Sequence, residues 1–243
     1  MKNNYKLLIF DLDDTLIDNT ENVKYAFQKT MEHQNAPCEE EKFMKRYHVD
    51  RDFRRDWQNG LITLPEELRG ETGKKSDRFL DWVRAQRFLI YFDHTISLER
   101  AIELNHIYLE SLTEVVIPVQ WAEETLKYLS DLYTIIVATN GPSIATQQKL
   151  EKINCSPFIK EILPADMFWY MKPRVEFFEA IQERYPLPKE NYLIIGDSLK
   201  SDVGFGMKCG IDSCRFDRGN EELTAEYQPT LTIKKLTELT TLL

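Results

Sequence analysis

The sequence predicts an α/β protein, a parallel sheet with helices on both faces, whose order is interrupted by one long helical insertion. Three observations predict it. Short unbroken apolar runs recur along the chain, each run stops at a polar or glycine-containing cluster, and segments of helical period separate the runs. An apolar run of strand length suits a strand buried on both faces. Strands that alternate with helices suit a parallel sheet covered on both sides.

The first run is Lys6-Leu7-Leu8-Ile9-Phe10, closed by the polar stretch from Asp11 to Thr15. The second, from Tyr133 to Ala138, ends at Thr139-Asn140-Gly141, and the third, from Tyr192 to Ile195, ends at Gly196-Asp197-Ser198. Weaker strand signals lie at Ile162-Leu163 and from Ser213 to Phe216, and helical patterns run from Trp121 to Leu129, Ile144 to Ile153 and Val175 to Arg184. The stretch from Ile17 to Leu112 reads differently, being rich in aromatics and charges with no buried-strand run. The expected organisation is therefore a Rossmann-like core from residues 1–16 and 113–243, with an all-helical cap from 17–112 inserted after the first strand and Pro118 marking the return. In such sheets ligands bind at the carboxyl ends of the strands, which is where the polar clusters fall.

Composition narrows the functional classes. The 243 residues carry a net charge of -9, which argues against nucleic acid, whose backbone demands a basic face. An anionic substrate would then need positive potential made locally by a metal, a lysine or helix N-termini. Cys38, Cys155, Cys209 and Cys214 lie far apart without metal-ligand spacing, so free thiols in a reducing compartment are expected. Asp11 and Asp13 interrupt the N-terminal apolar run, which is no secretory signal, and no apolar stretch approaches the ~20 residues of a membrane helix. The expectation is a cytoplasmic protein, a monomer or weak homo-oligomer, that takes a small-molecule substrate.

Asp11 and Asp13 stand at i and i+2 beyond a buried strand, so in extended chain their carboxyl groups face one spot. Two carboxylates so close favour a bound cation or a shared proton. Either suits phosphoryl transfer, with one group ionised as nucleophile and its neighbour protonated as acid; capping or a solvated turn is the plain alternative. Asp197, after the glycine that ends the third strand, can complete an oxygen-rich Mg²⁺ site, or cap a helix as Ser198 is expected to do. Thr139, Asn140 and Gly141 offer a hydroxyl and backbone N–H groups leading into a helix, an arrangement that suits phosphate. Pro173 suits a first helical turn, leaving Lys172 at the helix entrance, where an acidic site needs a cation.

The segments LLIFDLDDTL, IIVATNG, MKPRVEFFEA and LIIGDSLKSDVGFGMKCGI, in this order, resemble the haloacid dehalogenase superfamily of hydrolases. The resemblance implies a Mg²⁺-dependent phosphatase that works through an aspartyl-phosphate. It implies Asp11 as nucleophile and metal ligand, Asp13 as general acid and base with its backbone carbonyl on the metal, and Asp197 as a further ligand. Thr139 and the Asn140 amide would hold the phosphoryl oxygens, Lys172 would neutralise the phosphate and Asp11, and Asp202 would steady Lys172 or a metal-bound water. Asp13 argues against the dehalogenase branch, which needs no acid two residues on. A sugar phosphomutase or phosphotransferase on the same fold stays open, as does a non-catalytic binding protein.

Within the insertion, FRRDWQNGLIT from Phe53 to Thr63 is similar to the bacterial pyrimidine 5′-nucleotidase branch, which implies nucleoside 5′-monophosphates as substrates. That branch tends to carry a glycine a few residues before the lysine, where this chain has Phe168-Trp169-Tyr170. Loop packing is the expected role there, with a stacking face for a base as the alternative. Phe43, Tyr47, Trp57, Phe79, Trp82 and Phe88 read as core of the insertion, and Arg51, Arg54 and Arg55 as a solvated helix face. The four histidines (His33, His48, His94 and His106) show no triad or metal spacing.

Overall fold

Six strands form one sheet in the order β3-β2-β1-β4-β5-β6, and every neighbouring pair runs parallel. They are β1 (Leu7–Phe10), β2 (Thr134–Thr139), β3 (Glu161–Pro164), β4 (Tyr192–Gly196), β5 (Asp212–Phe216) and β6 (Leu231–Ile233). The structure, a computed structural model, describes residues 4–45, 47, 49–63, 66–68, 78–168, 170–219 and 221–243, with only the backbone described at positions 50, 51, 54, 57, 58 and 67.

The period-2 alternation of strand side chains explains why these runs are apolar throughout. On one face Leu8 and Phe10 of β1, Ile135 and Val137 of β2, and Leu193 and Ile195 of β4 join a single core cluster with Leu126, Leu150 and Leu239. On the other, Leu7, Ile9, Ile136, Ala138 and Ile194 join Phe177, Phe178, Ile181 and Phe205. The three central strands are buried along almost their whole length, and their register sets Phe10 beside Val137 and Ile195.

The chain divides into two compact units, residues 1–21 with 116–243, and residues 22–115. The α-helices described in the second unit are α1 (Asn19–Gln34, whose first turn belongs to the first unit), α2 (Glu40–Met44), α3 (Val49–Gln58), α4 (Phe79–Tyr91) and α5 (Leu98–Ser111), and no strand lies among its described residues. Aromatics hold this unit together. Phe27 stacks on Phe43 with ring centroids 4.0 Å apart, and Tyr91, Phe88 and Tyr108 pack around the pair. Phe43, Phe79 and Phe88 are buried core residues, and Trp82 packs against Phe53 and Phe79. Arg55 bonds Asp52 and Asp56 of its own helix; Arg51, Arg54 and Trp57 as side chains, and His48, lie outside the described residues. His106 meets Asp81, while His33 and His94 are exposed.

Flanking the sheet are α6 (Ala122–Ser130), α7 (Ser143–Lys152), α8 (Ala165–Phe168), α9 (Val175–Arg184), α10 (Gly204–Cys209) and α11 (Leu239–Leu242). The expected helices match α6, α7 and α9 to within a residue at each end. Two details differ from expectation. Pro173 stands ahead of α9 rather than in its first turn, because Arg174 is extended (φ -74, ψ 138) and the helix starts at Val175; the Lys172–Pro173 bond is cis. The edge strand β6 carries no apolar run that sequence could reveal, since only Ile233 of its three residues is buried. All four cysteines are free, and among the described residues no helix is long and apolar enough to cross a membrane.

Candidate active site

Every site residue expected from sequence lies at or just past the carboxyl end of β1, β2 or β4, or on the segments that follow β3 and β4. The chain stays in register for one residue beyond β1, as the Asp11 N–H donates to the Ile195 carbonyl at 2.9 Å. It then turns sharply, with the N–H groups of Thr15, Leu16 and Ile17 all directed to the Leu12 carbonyl and Asp14 in the left-handed region at φ 64. Arg218 holds that turn from the segment after β5, donating to the Asp14 and Asp18 carboxylates at 2.9 Å each.

Lys172 is the hub. Its ammonium lies 2.9 Å from Asp11 Oδ1 and 2.6 Å from Asp202 Oδ1, and its side chain is 1% exposed. Burial alone would pull an ammonium toward neutrality, but the two carboxylates outweigh it and raise the Lys172 pKa above its ordinary value. The Asn140 side chain fixes the lysine's backbone from both sides, accepting from the Lys172 N–H at 2.9 Å and donating to its carbonyl at 3.0 Å. With that side chain so engaged, the backbone N–H is the Asn140 group left to meet a ligand. Thr139 Oγ1 accepts from the Gly141 N–H at 2.9 Å, and the hydroxyl proton is the group it offers to a ligand.

Asp202 sits in a π-turn from Leu199 to Val203, and its second oxygen accepts from the Ser198 N–H at 3.1 Å. Ser198 caps this turn, its hydroxyl accepting from the Ser201 N–H at 3.2 Å, so the capping role is its own and not that of Asp197. The Asp197 carboxylate instead faces Thr15. That hydroxyl donates to Asp197 Oδ1 at 3.4 Å and accepts from the Asp197 N–H at 3.1 Å, tying the β4 loop to the β1 turn.

Asp11, Asp197 and Asp202 each offer an oxygen within 4.8 Å of the others, the one such acidic, thiol or imidazole cluster among the described residues. Burial raises Asp11 to about 7, more than Lys172 lowers it, and burial with the charges of Asp202 and Asp11 raises Asp197 to about 8. Carboxylates gathered out of water with too little positive charge beside them are a donor set for a hard cation. Both Asp202 oxygens are committed within the protein, so Asp11 and Asp197 are the side chains with donor capacity to spare.

Asp13 is the exception to the convergence on Lys172. Its Oδ1 accepts from Lys149 Nζ at 2.9 Å, and the same ammonium reaches Asn19 Oδ1 at 3.2 Å. Sequence reasoning missed Lys149, Asn19 and Thr15. Thr15 follows the acidic pair closely enough to have been a candidate, whereas Lys149 and Asn19 are polar residues on helices whose default is solvent.

A family model described as haloacid dehalogenase-like hydrolase matches residues 5–210. The chain is 28% identical to the HAD-hydrolase YfnB of Bacillus subtilis over 243 residues, 97% of this chain and 94% of that one. It is 25% identical to the pyrimidine 5′-nucleotidase YjjG of Escherichia coli, covering 97% and 96% of the two chains. Identity to the glyceraldehyde 3-phosphate phosphatase of Methanocaldococcus jannaschii is 23%, with 96% and 95% covered. Among solved structures, magnesium-bound YfnB from Bacillus subtilis superimposes with a TM-score of 0.80 at 26% identity, covering 98% of both chains.

Proposed function

The chain belongs to the haloacid dehalogenase-like hydrolases, and from that premise we propose that it is a Mg²⁺-dependent phosphomonoesterase acting through a phosphorylated Asp11. The observation that carries the proposal is the placing of one buried ammonium, Lys172, against both Asp11 and Asp202 while Asp197 faces the same spot. Asp11, Asp197 and the Asp13 backbone carbonyl would hold the metal, which when bound supplies positive charge to the phosphoryl oxygens.

In the first displacement an Asp11 carboxylate oxygen forms a bond to phosphorus. The ester P–O bond breaks, its electron pair stays on the leaving oxygen, and the Asp13 carboxyl gives that oxygen its proton. In the second, the Asp13 carboxylate takes a proton from water as the water oxygen attacks phosphorus. The P–O bond to Asp11 breaks, restoring the carboxylate and releasing inorganic phosphate. Lys172 neutralises the charge spread over the phosphoryl group, while the Thr139 hydroxyl and the Asn140 backbone N–H hold its oxygens. A general acid two residues after the nucleophile serves ester cleavage, where the leaving alkoxide must be protonated.

We take the substrate to be a small phosphorylated metabolite, with nucleoside 5′-monophosphates the first choice. The similarity to a pyrimidine 5′-nucleotidase supports that choice, and the similarity to a sugar phosphate phosphatase keeps the test broad. Residues 22–115, in this reading, form the cap that selects the substrate. Phosphate release over nucleoside monophosphates and sugar phosphates, with Mg²⁺ or excess EDTA, tests the proposal. Mg²⁺-dependent turnover that Asp11→Asn abolishes is the expected result; full activity in EDTA, or in Asp11→Asn, would overturn it.

A further inference from the structure

We propose that Lys149 is a positioning residue for the proton-transferring carboxyl of Asp13; the inference rests on the phosphatase reading above. The Lys149 side chain is 3% exposed, and an ammonium is buried only where partners compensate its lost hydration. Its partners among the described residues are Asp13 Oδ1 at 2.9 Å and Asn19 Oδ1 at 3.2 Å. Lys149 lies on α7, 136 residues from Asp13 in sequence, and Asn19 lies in the first turn of α1. The ammonium thus fixes the acid from an element that carries no other group of the proposed chemistry.

The other Asp13 oxygen is confined as well. A Cβ added to Gly141 would meet Asp13 Oδ2 at 2.9 Å and Thr139 Oγ1 at 3.2 Å, so this oxygen lies against the glycine beside the phosphate-binding hydroxyl. With Oδ1 occupied by Lys149, Oδ2 is the atom that carries the proton to the leaving oxygen and later takes one from water. The acidic pair is thereby divided: Lys172 serves Asp11 and Lys149 serves Asp13. Two carboxylates sharing one cation would compete for it, whereas two cations assign each a separate orientation and a separate task. Asn19 supplies the second tether, which keeps the lysine from following Asp13 when the carboxyl changes its protonation.

The test separates positioning from mere structure by leaving group. kcat/KM reports steps up to formation of phosphorylated Asp11, where p-nitrophenolate departs without help but an alkoxide needs the acid. In Lys149→Met, kcat/KM for the best alkyl phosphate of the substrate panel falls by about 10²-fold, and that for p-nitrophenyl phosphate by less than about tenfold. Lys149→Arg recovers most of the ratio, and Asn19→Ala shifts it in the same direction by less. A crystal structure of Lys149→Met with Mg²⁺ shows the Asp13 carboxyl displaced while Lys172 keeps Asp11 and Asp202. Equal losses on both substrates, or an unmoved Asp13, overturn the inference while leaving the phosphatase reading intact. Absence of Asp11-dependent turnover in the unaltered protein would overturn that reading itself. Should Lys149→Met not fold, Asn19→Ala carries the same comparison, and equal losses on both substrates in it overturn the inference.

Discussion

Gly196 lies directly against the side chain of Asp202: a Cβ built on Gly196 would fall 2.2 Å from both Cγ and Oδ2 of that carboxylate. The glycine is required by this close approach, and the approach sets Asp202 where it meets Lys172 at 2.6 Å. Gly196→Ala must therefore push Asp202 off the lysine. Overpacking of this kind costs about 1–3 kcal/mol, and a displacement near 1 Å at a reacting centre costs about 10²-fold in rate. Urea melts and phosphate release should show both losses together; an alanine variant of full activity would mean that Asp202 has no part in the chemistry.

Lys172 compensates two buried carboxylates at once, so its removal leaves Asp11 and Asp202 without their cation. Breaking a buried pair from one side costs about 3–5 kcal/mol. Lys172→Met should lose that much in denaturant unfolding, and adding Asp202→Asn should restore a part by removing one of the stranded charges. If the double variant is no more stable than the single one, the pair does not act as a coupled unit.

The strands at the heart of the fold were legible because burial on both faces demands continuous apolar residues, as in Leu7 to Phe10 and Tyr192 to Ile195. β6 was not, since an edge strand needs few apolar contacts and Leu231–Ile233 offers one fully buried side chain. For the site, Lys172, beyond β3 and α8, was marked only by Pro173 and the helix that follows, whereas Asp11, Thr139 and Asp197 stand at strand ends, where position in sequence predicts position in space. Lys149 breaks that rule. It sits in the last turn of α7 among Gln147, Gln148 and Glu151, a neighbourhood that reads as solvent, and only the fold turns it onto Asp13. The Asn140 side chain was legible as polar and near the site, but its bonds to the Lys172 backbone depend on how the segment after β3 returns, which no local pattern encodes.

Those Asn140 bonds carry a prediction of their own. Asn140→Ala removes the acceptor for the Lys172 N–H and the donor to its carbonyl, freeing the loop that presents the ammonium. Two lost hydrogen bonds amount to about 1–3 kcal/mol. The backbone N–H proposed to meet the phosphate survives the substitution, so kcat should fall more than KM rises. A rise in KM alone, at unchanged kcat, would assign the Asn140 side chain to substrate binding instead.

Proton binding and metal binding should oppose each other at Asp197. Burial, with the charges of Asp202 and Asp11, lifts this carboxyl from an ordinary 3.8 to about 8 in the folded, metal-free protein. Across that window the folded state holds a proton that the unfolded chain has released, so stability falls as pH rises. Mg²⁺ needs the ionised carboxylate, so its binding strengthens in the same direction. Thermal melts in EDTA should therefore give a lower Tm at about pH 8.5 than at about pH 5.5. The rise in Tm on adding Mg²⁺ should be the larger at the higher pH. Asp197→Asn carries no titrating proton at this position and a weaker donor, so both effects should shrink in it. An EDTA slope of undiminished size in that variant would show that the pH dependence arises elsewhere in the molecule.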